Sequence, residues 1–252
     1  MDFGRIDMAG VELEGGWTDR PPSNLIGDGS ISLREGNEGA NGQIINYVGE
    51  IPSPPFKSPT EMFDWMKLNY PQHTNSSCGM HVHTSFKSQN SYVRIMDRAF
   101  FEYIRAGLLD WGQSMDLRDP RFFARLSGSN TYCKNEYNPM GQVRYKDKGP
   151  HRYSILNYCH GRYKTVELRA LPLFTTYDEA VAAIAAYFEL VEAWLKKPPR
   201  GLKRIKRAIQ LKAEPYEAPS QAEVRVDLAD TLAQEEMSVQ LEGVSSVQTV
   251  EV

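Results

Sequence analysis

Cysteine is scarce in this 252-residue chain: Cys78, Cys133 and Cys159 are an odd number, too few for a disulfide framework, and are expected to be reduced and buried. No uninterrupted apolar run approaches the roughly 18 residues that a membrane span needs. The opening MDFGRIDMAG has no basic flank followed by an apolar stretch. Both absences lead us to expect a cytoplasmic protein with no membrane partner. A dominant charge is missing too: 29 basic side chains meet 32 acidic ones for a net -3, so overall charge selects neither nucleic acid nor lipid. What is present, 41% hydrophobic and 24% charged residues, is the composition of a globular chain able to enclose a core and a pocket.

The charge is unevenly spread. From Lys196 to Lys212 every charged side chain is basic, and Leu202, Ile205, Ala208 and Ile209 recur there at helical spacing, which predicts a short basic amphipathic helix. Such a helix is either a solvated face attracted to the acidic segment after it or a site for nucleic acid, lipid or a partner protein. From Ala213 to Val252 the only basic residue is Arg225 and the only aromatic is Tyr216, a composition that predicts a disordered acidic tail. Residues 1–195 are left as the expected folded domain.

Within that domain, Ser58, Pro59 and Glu61 predict a capped helix start ahead of Met62, Phe63, Trp65, Met66 and Leu68. A second helix is expected from Thr176 to Lys197, burying Ala180, Ile184, Tyr187, Phe188, Val191 and Trp194, and a third from Tyr92 to Trp111. Strands are expected at Gly10 to Glu14, Gln43 to Glu50, Met80 to Phe86, Tyr153 to Tyr158 and Lys164 to Leu171. Strands grouped between helices, without regular strand-helix repetition, predict an α+β domain with a mainly antiparallel sheet. The stretch from Gln113 to Pro150, carrying Arg118, Arg121, Arg125, Lys134, Arg144, Lys146 and Lys148, reads as a long loop, either solvated or able to close over a ligand.

Three of the strands carry ionisable doublets. Side chains two apart on a strand point the same way, about 7 Å from one another. In Val11-Glu12-Leu13-Glu14, in His81-Val82-His83 and in Val166-Glu167-Leu168-Arg169, charged groups therefore share one side opposite core-facing apolar residues. A wet sheet face is the ordinary explanation of one such doublet. Glu, Glu, His, His, Glu and Arg together are instead the residue types that hold metals and phosphates. Carboxylates gathered on a concave surface repel each other, and burying one unpaired costs several kcal/mol, so a divalent cation would relieve the arrangement. Oxygen ligands with one imidazole suit Mg²⁺ or Mn²⁺, whereas zinc favours more nitrogen or sulfur. Cys78, at an odd offset from His81, should point elsewhere. Glycines at Gly15, Gly16 and Gly79 would let the backbone approach something bound. Glu50, at a strand end before Pro52, Pro54 and Pro55, is a further rigidly held carboxylate or a plain strand-end charge.

Taken in order, Gly10-Val11-Glu12-Leu13-Glu14, Glu50-Ile51-Pro52-Ser53-Pro54-Pro55, Cys78-Gly79-Met80-His81-Val82-His83 and Thr165-Val166-Glu167-Leu168-Arg169 make the chain resemble the amidoligases of the glutamine-synthetase-like carboxylate-amine ligase superfamily. The likeness runs from about Gly10 to Trp194. It departs from the family pattern at Pro52, where a valine is usual, and at Leu168, where a phenylalanine is. The Asp28-Gly29-Ser30 turn and the stretch from Arg152 to Asn157 also fit.

The resemblance implies a glutamine-synthetase-like domain: a curved sheet with helices on one face and, on the concave face, two or three Mg²⁺ ions between ATP and a carboxylate substrate. Glu12, Glu14, Glu50 and Glu167 would be metal ligands, with His81 or His83 binding metal or nucleotide phosphate. Arg169 would pair with the transferred phosphoryl group or the substrate carboxylate. Arg152 and Arg125 are further candidates for the phosphates. The implied activity is an ADP-forming carbon-nitrogen ligase working through an acyl phosphate. Two other readings compete with it: a zinc or iron hydrolase built on the His-x-His strand with Glu167, and a non-enzymatic adaptor acting through the basic helix.

Overall fold

Apolar residues alternating with charged ones make strands with one buried side and one polar side, and such strands pair so that the buried sides coincide. The computed structural model, which describes residues 3–137, 153–159 and 164–196, pairs five of them: β1 (Ile6–Trp17), β2 (Tyr47–Pro52), β3 (Gly79–Phe86), β4 (Leu156–Cys159) and β5 (Thr165–Pro172). Their order across the sheet is β2-β1-β3-β5-β4, and each neighbouring pair is antiparallel. The five helices are α1 (Pro59–Asn69), α2 (Gln89–Ile95), α3 (Arg98–Ser114), α4 (Pro120–Ser127) and α5 (Tyr177–Lys196). The α+β class and the antiparallel sheet expected from the sequence are both present.

Val11, Leu13, Met80, Val82, Val166 and Leu168 send their side chains into one hydrophobic core, which residues from all five helices complete. Burying each such aliphatic side chain contributes about 1.5–3 kcal/mol. The intervening Glu12, Glu14, His81, His83, Glu167 and Arg169 are thereby committed to the opposite side. Alternation ends at a register slip between β3 and β5: Val82 lies opposite Leu168 but Met80 opposite Leu171, so Ala170 and Leu171 both enter the core. The charged run of β5 therefore stops at Arg169.

Several boundaries differ from expectation for local reasons. The helix expected from Tyr92 to Trp111 is two, because Asp97 breaks it: its extended backbone caps α3, its side chain accepting from the Ala99 N–H. Ser58 begins α1 with Pro59 in its first turn, but its hydroxyl makes no capping bond. A side-chain cap forms instead at α5, where the Thr176 hydroxyl accepts from the Glu179 N–H and donates to the Glu179 carboxylate. β2 starts only at Tyr47, since Ile44 is engaged in a local bridge with Glu38. Glu50 is inside β2 rather than at its end, and Pro52 closes an edge strand where a missing N–H is tolerated.

The expected loop after Gln113 contains α4. Asp119 caps it, Pro120 occupies its first turn and Gly128, with a φ of 78°, ends it in the left-handed conformation. Among its basic residues, Arg121 is tied to Asp119, Thr74 and the Asn75 carbonyl and so is held rather than free to close over a ligand, whereas Arg118 makes only an exposed surface pair with Asp116. Arg144, Lys146, Lys148 and Arg152 lie outside the described residues, as do the expected basic helix over 201–212 and the acidic tail. Among the described residues no helix is long and apolar enough to cross a membrane.

Candidate functional site

Strand register, not sequence proximity, assembles the charged face. Glu14 lies opposite Glu50 on β2, Glu12 opposite His81 on β3, and His83 opposite Glu167 on β5. On the outer edge, Ile26 and Glu50 exchange both backbone hydrogen bonds at 2.8 Å, which brings the following Asp28 alongside. Two groups of potential ligand atoms result, each with all atoms within 4.8 Å of one another: Glu12, His81 and Glu167 in an inner group, and Glu14, Asp28 and Glu50 in an outer one.

The His81 imidazole sits among three carboxylates. Its Nδ1 is 3.2 Å from Glu12 Oε2 and 3.5 Å from Glu167 Oε1, and its Nε2 is 3.6 Å from Glu14 Oε1. His83 faces other partners, with Nε2 3.1 Å from Glu12 Oε1 and Nδ1 3.3 Å from the Thr165 hydroxyl. Glu12 thus has a histidine on each oxygen. Of the two histidines the sequence left open, His81 belongs to a ligand group and His83 orients Glu12. Arg169 pairs with Glu167 Oε1, while Asn157 Nδ2 donates to Glu167 Oε2 at 2.8 Å. Arg125, expected on a loop, is on α4 and buried; its guanidinium donates to the Cys78 carbonyl at 3.1 Å, and its Nε has no hydrogen-bond partner.

Electrostatics separates Glu12 and Glu167 from Glu50. Burial alone would raise the Glu12 and Glu167 carboxyls. Hydrogen bonds from His81 and His83 nevertheless hold Glu12 well below the usual range, and Arg169, His83 and His81 do the same for Glu167. The same carboxylates hold the Arg169 guanidinium charged against its own desolvation. For His83, too, burial would lower the value, and the Glu12 carboxylate reverses this to raise it. Glu50 goes the other way: burial, then repulsion by Glu12, push it up to about 7, with Glu14 and Asp28 adding to the repulsion.

Gly79 shows how tightly the centre is built. Its N–H donates to Glu14 Oε2 at 2.7 Å. A Cβ there would stand 2.9 Å from Glu14 Oε2, 3.0 Å from His81 Nε2 and 3.1 Å from Arg125. Gly15 departs from expectation, because the space beside it is filled by Pro71 and Leu173 and is not open to a ligand. Gly16 is likewise closed, by Ile45 and His73. A small cavity of about 110 Å³ opens over Glu12, Glu14, Asp28, Glu50, Arg125 and Arg169. A larger one, about 500 Å³, adjoins it through Glu12 and is bounded by Met8, Gly10, Pro55, His83, Ser85 and Thr165.

Comparisons with protein-family models, with curated proteins and with solved structures find no match to this chain. The site is therefore described by its own chemistry. The structure brings Glu12, Glu14, Glu50, His81, His83, Arg125, Glu167 and Arg169 to one side of the sheet. Sequence reasoning missed the ligand role open to Asp28, whose turn was noticed but whose edge pairing was not. It also missed Asn157 and Cys159, although their spacing of two on β4 repeats the doublet pattern. Cys78 points into the core, as its offset from His81 requires. All three cysteines are free and buried.

Proposed function

We propose that this chain is an ATP-dependent carboxylate-amine ligase of the amidoligase type, with a glutamine-synthetase-like domain. The observation that carries the reading is the pair of ligand groups built by register on one sheet face, flanked by the guanidiniums of Arg125 and Arg169. Five carboxylates with a single imidazole among the grouped ligands make a hard, oxygen-rich donor set, which fits Mg²⁺ or Mn²⁺ better than zinc. The Glu50 carboxyl, pushed up by its neighbours, fits as well: it is a repulsion that a cation would remove.

Glu12, His81 and Glu167 would hold one ion, and Glu14, Asp28 and Glu50 another. Bound there, divalent cations would neutralise phosphate oxygens and keep them in line for transfer. Every other part of the chemistry falls to the protein. The 500 Å³ cavity is of nucleoside size, and its apolar walls suit a base and ribose whose phosphates extend past Glu12. Arg169 supplies a permanently charged fork for the moving phosphoryl group, and Arg125 a second cation at the same cavity.

A substrate carboxylate oxygen would attack the γ-phosphorus, forming the acyl C–O–P linkage and breaking the bond to the β-phosphate, which leaves ADP. An amine nitrogen would then attack the acyl carbon. The carbon-nitrogen bond forms, inorganic phosphate departs with the carbon-oxygen electron pair, and the amine gives up a proton.

The test is Mg-ATP with a panel of amino acids and small peptides as carboxylates and hydroxylamine as the amine. Hydroxamate with stoichiometric ADP is expected. Folded protein that forms neither across the panel would overturn the reading. Metal analysis of protein purified without added metal separates it from hydrolase chemistry, since tight stoichiometric zinc would favour the latter.

A further inference from the structure

The two oxygens of Glu167 have different surroundings. Oε1 faces His81 and Arg169. Oε2 faces β4, where register sets Asn157 directly opposite Glu167. Asn157 Nδ2 donates to Oε2 at 2.8 Å, and Cys159 Sγ, on the same side of β4, lies 3.6 Å from the same atom. Both side chains are almost completely buried, at 3% and 2% exposure. Neither has a part in the chemistry proposed above.

A carboxylate oxygen has two lone pairs, and two donors use both. The terminal torsion of a glutamate is soft, so a carboxylate without such partners can turn and present both oxygens to one ion. We infer that Asn157 and Cys159 are positioning residues that reserve Glu167 Oε2, so that Glu167 offers a cation Oε1 alone, and that this tunes the inner group to a small hard ion. An ion the size of Mg²⁺ requires near-octahedral single contacts at roughly 2.0–2.1 Å, whereas Ca²⁺ accepts six to eight oxygens at roughly 2.3–2.6 Å and takes carboxylates through both oxygens. The inference rests on the proposed assignment of Glu12, His81 and Glu167 as cation ligands, and not on the ligase reaction.

The experiment is a titration of the metal-stripped full chain with Mg²⁺ and with Ca²⁺, each competing against Mn²⁺ followed by electron paramagnetic resonance. It compares wild type with Asn157→Leu, Cys159→Ala and Cys159→Ser. Asn157→Leu should weaken Mg²⁺ about tenfold or more, as loss of an outer partner of a ligand does, while Ca²⁺ is held as well as before or better. Cys159→Ala should move the Ca²⁺/Mg²⁺ preference the same way by less, and Cys159→Ser, which keeps a donor, should stay at the wild-type ratio. An unchanged ratio in both Asn157→Leu and Cys159→Ala overturns the inference, and so does equal weakening of both ions, the mark of a merely structural role. Should Asn157→Leu fail to fold, the two Cys159 variants decide alone. Wild type that binds neither ion overturns the cation assignment and the inference with it. Variants that shift the ratio in a protein that never forms ADP uphold the inference and overturn only the ligase reading.

Discussion

The inner and outer groups are both built around carboxylates, but only the inner one includes an imidazole, and the carboxyls of Glu12 and Glu167 behave oppositely to that of Glu50. Glu12 and Glu167 are each matched by cationic or donating side chains, His81 and His83 on one and Arg169, Asn157 and Cys159 on the other. Glu50 faces Glu14 across the strand pair and Asp28 across the loop edge, with no basic partner of its own among the described residues. The inner carboxyls are accordingly held below their usual range and Glu50 is pushed up to about 7. Burial is common to both groups, so it does not account for the difference. Pairing does: Glu12 and Glu167 are organised before any cation arrives, whereas Glu50 depends on one to be fully ionised near neutrality.

The largest effect should follow from breaking the organised side. Glu167→Gln removes an inner ligand and leaves the buried Arg169 without its counter-charge, so ADP formation should fall at least about a hundredfold while the melting transition stays cooperative but is lowered by about 3–5 kcal/mol of stability. Glu50→Gln should instead raise the Mg²⁺ concentration needed for half-maximal rate by roughly tenfold while keeping most of the maximal rate. Parallel rate and magnesium profiles would show that the two variants act equally, and that would merge the groups into one functional unit. Gly79→Ala strikes both groups at once, because the added methyl meets Glu14, His81 and Arg125 together. It should cost about 1–3 kcal/mol in urea unfolding and weaken Mn²⁺ binding at both groups. Unaltered stability and binding would mean that the centre gives way more easily than its contacts suggest.

How much of this was legible in the sequence follows the same division. The inner ligands lie on strands with strict alternation, so a period of two was enough to put Glu12, His81 and Glu167 on one side. The outer group needed an isolated edge bridge between Ile26 and Glu50, a pairing with no periodic signal, and Asp28 was accordingly missed. Arg125 was assigned to a loop because eight residues of helix are too short to show a convincing stripe, although Asp119, Pro120 and Gly128 bracket α4 with ordinary start and stop residues. The glycines at 15 and 16 looked like room for a ligand because sequence cannot say which protein atoms, here Pro71, Leu173 and Ile45, fill a gap.

Proton competition should separate the groups without any mutation. Because the Glu50 carboxyl releases its proton only near pH 7, cation binding at the outer group must expel that proton at lower pH. Its Mn²⁺ affinity should climb by roughly tenfold per unit as pH rises toward 7 and level off above. At the inner group no carboxyl proton competes over the same window, since Glu12 and Glu167 are already ionised there, and any proton release comes from its imidazoles instead. Two classes of Mn²⁺ site with identical pH profiles would remove the electrostatic distinction. Glu50→Gln should flatten the rising profile and leave the other unchanged.

The smallest effect concerns stability. Unfolded, Glu50 ionises near its ordinary value of 4.5, while in the fold it retains its proton to about 7. Between those values the folded state binds a proton that the unfolded state has released. The contribution is therefore fully present below about 4.5, is lost as pH rises through 7, and stays lost above. A shift of that size corresponds to about 3 kcal/mol at most, and because Glu50 is only half-buried, solvent screening reduces it to about 1 kcal/mol. Metal-free Glu50→Gln should accordingly match wild type in urea unfolding at pH 4 and exceed it by about 1 kcal/mol at pH 8. Saturating Mg²⁺ should erase the gain, because a cation relieves the repulsion in wild type and has one ligand fewer in the variant. A Glu50→Gln protein no more stable than wild type at pH 8 would mean that the outer carboxylates do not strain the metal-free fold.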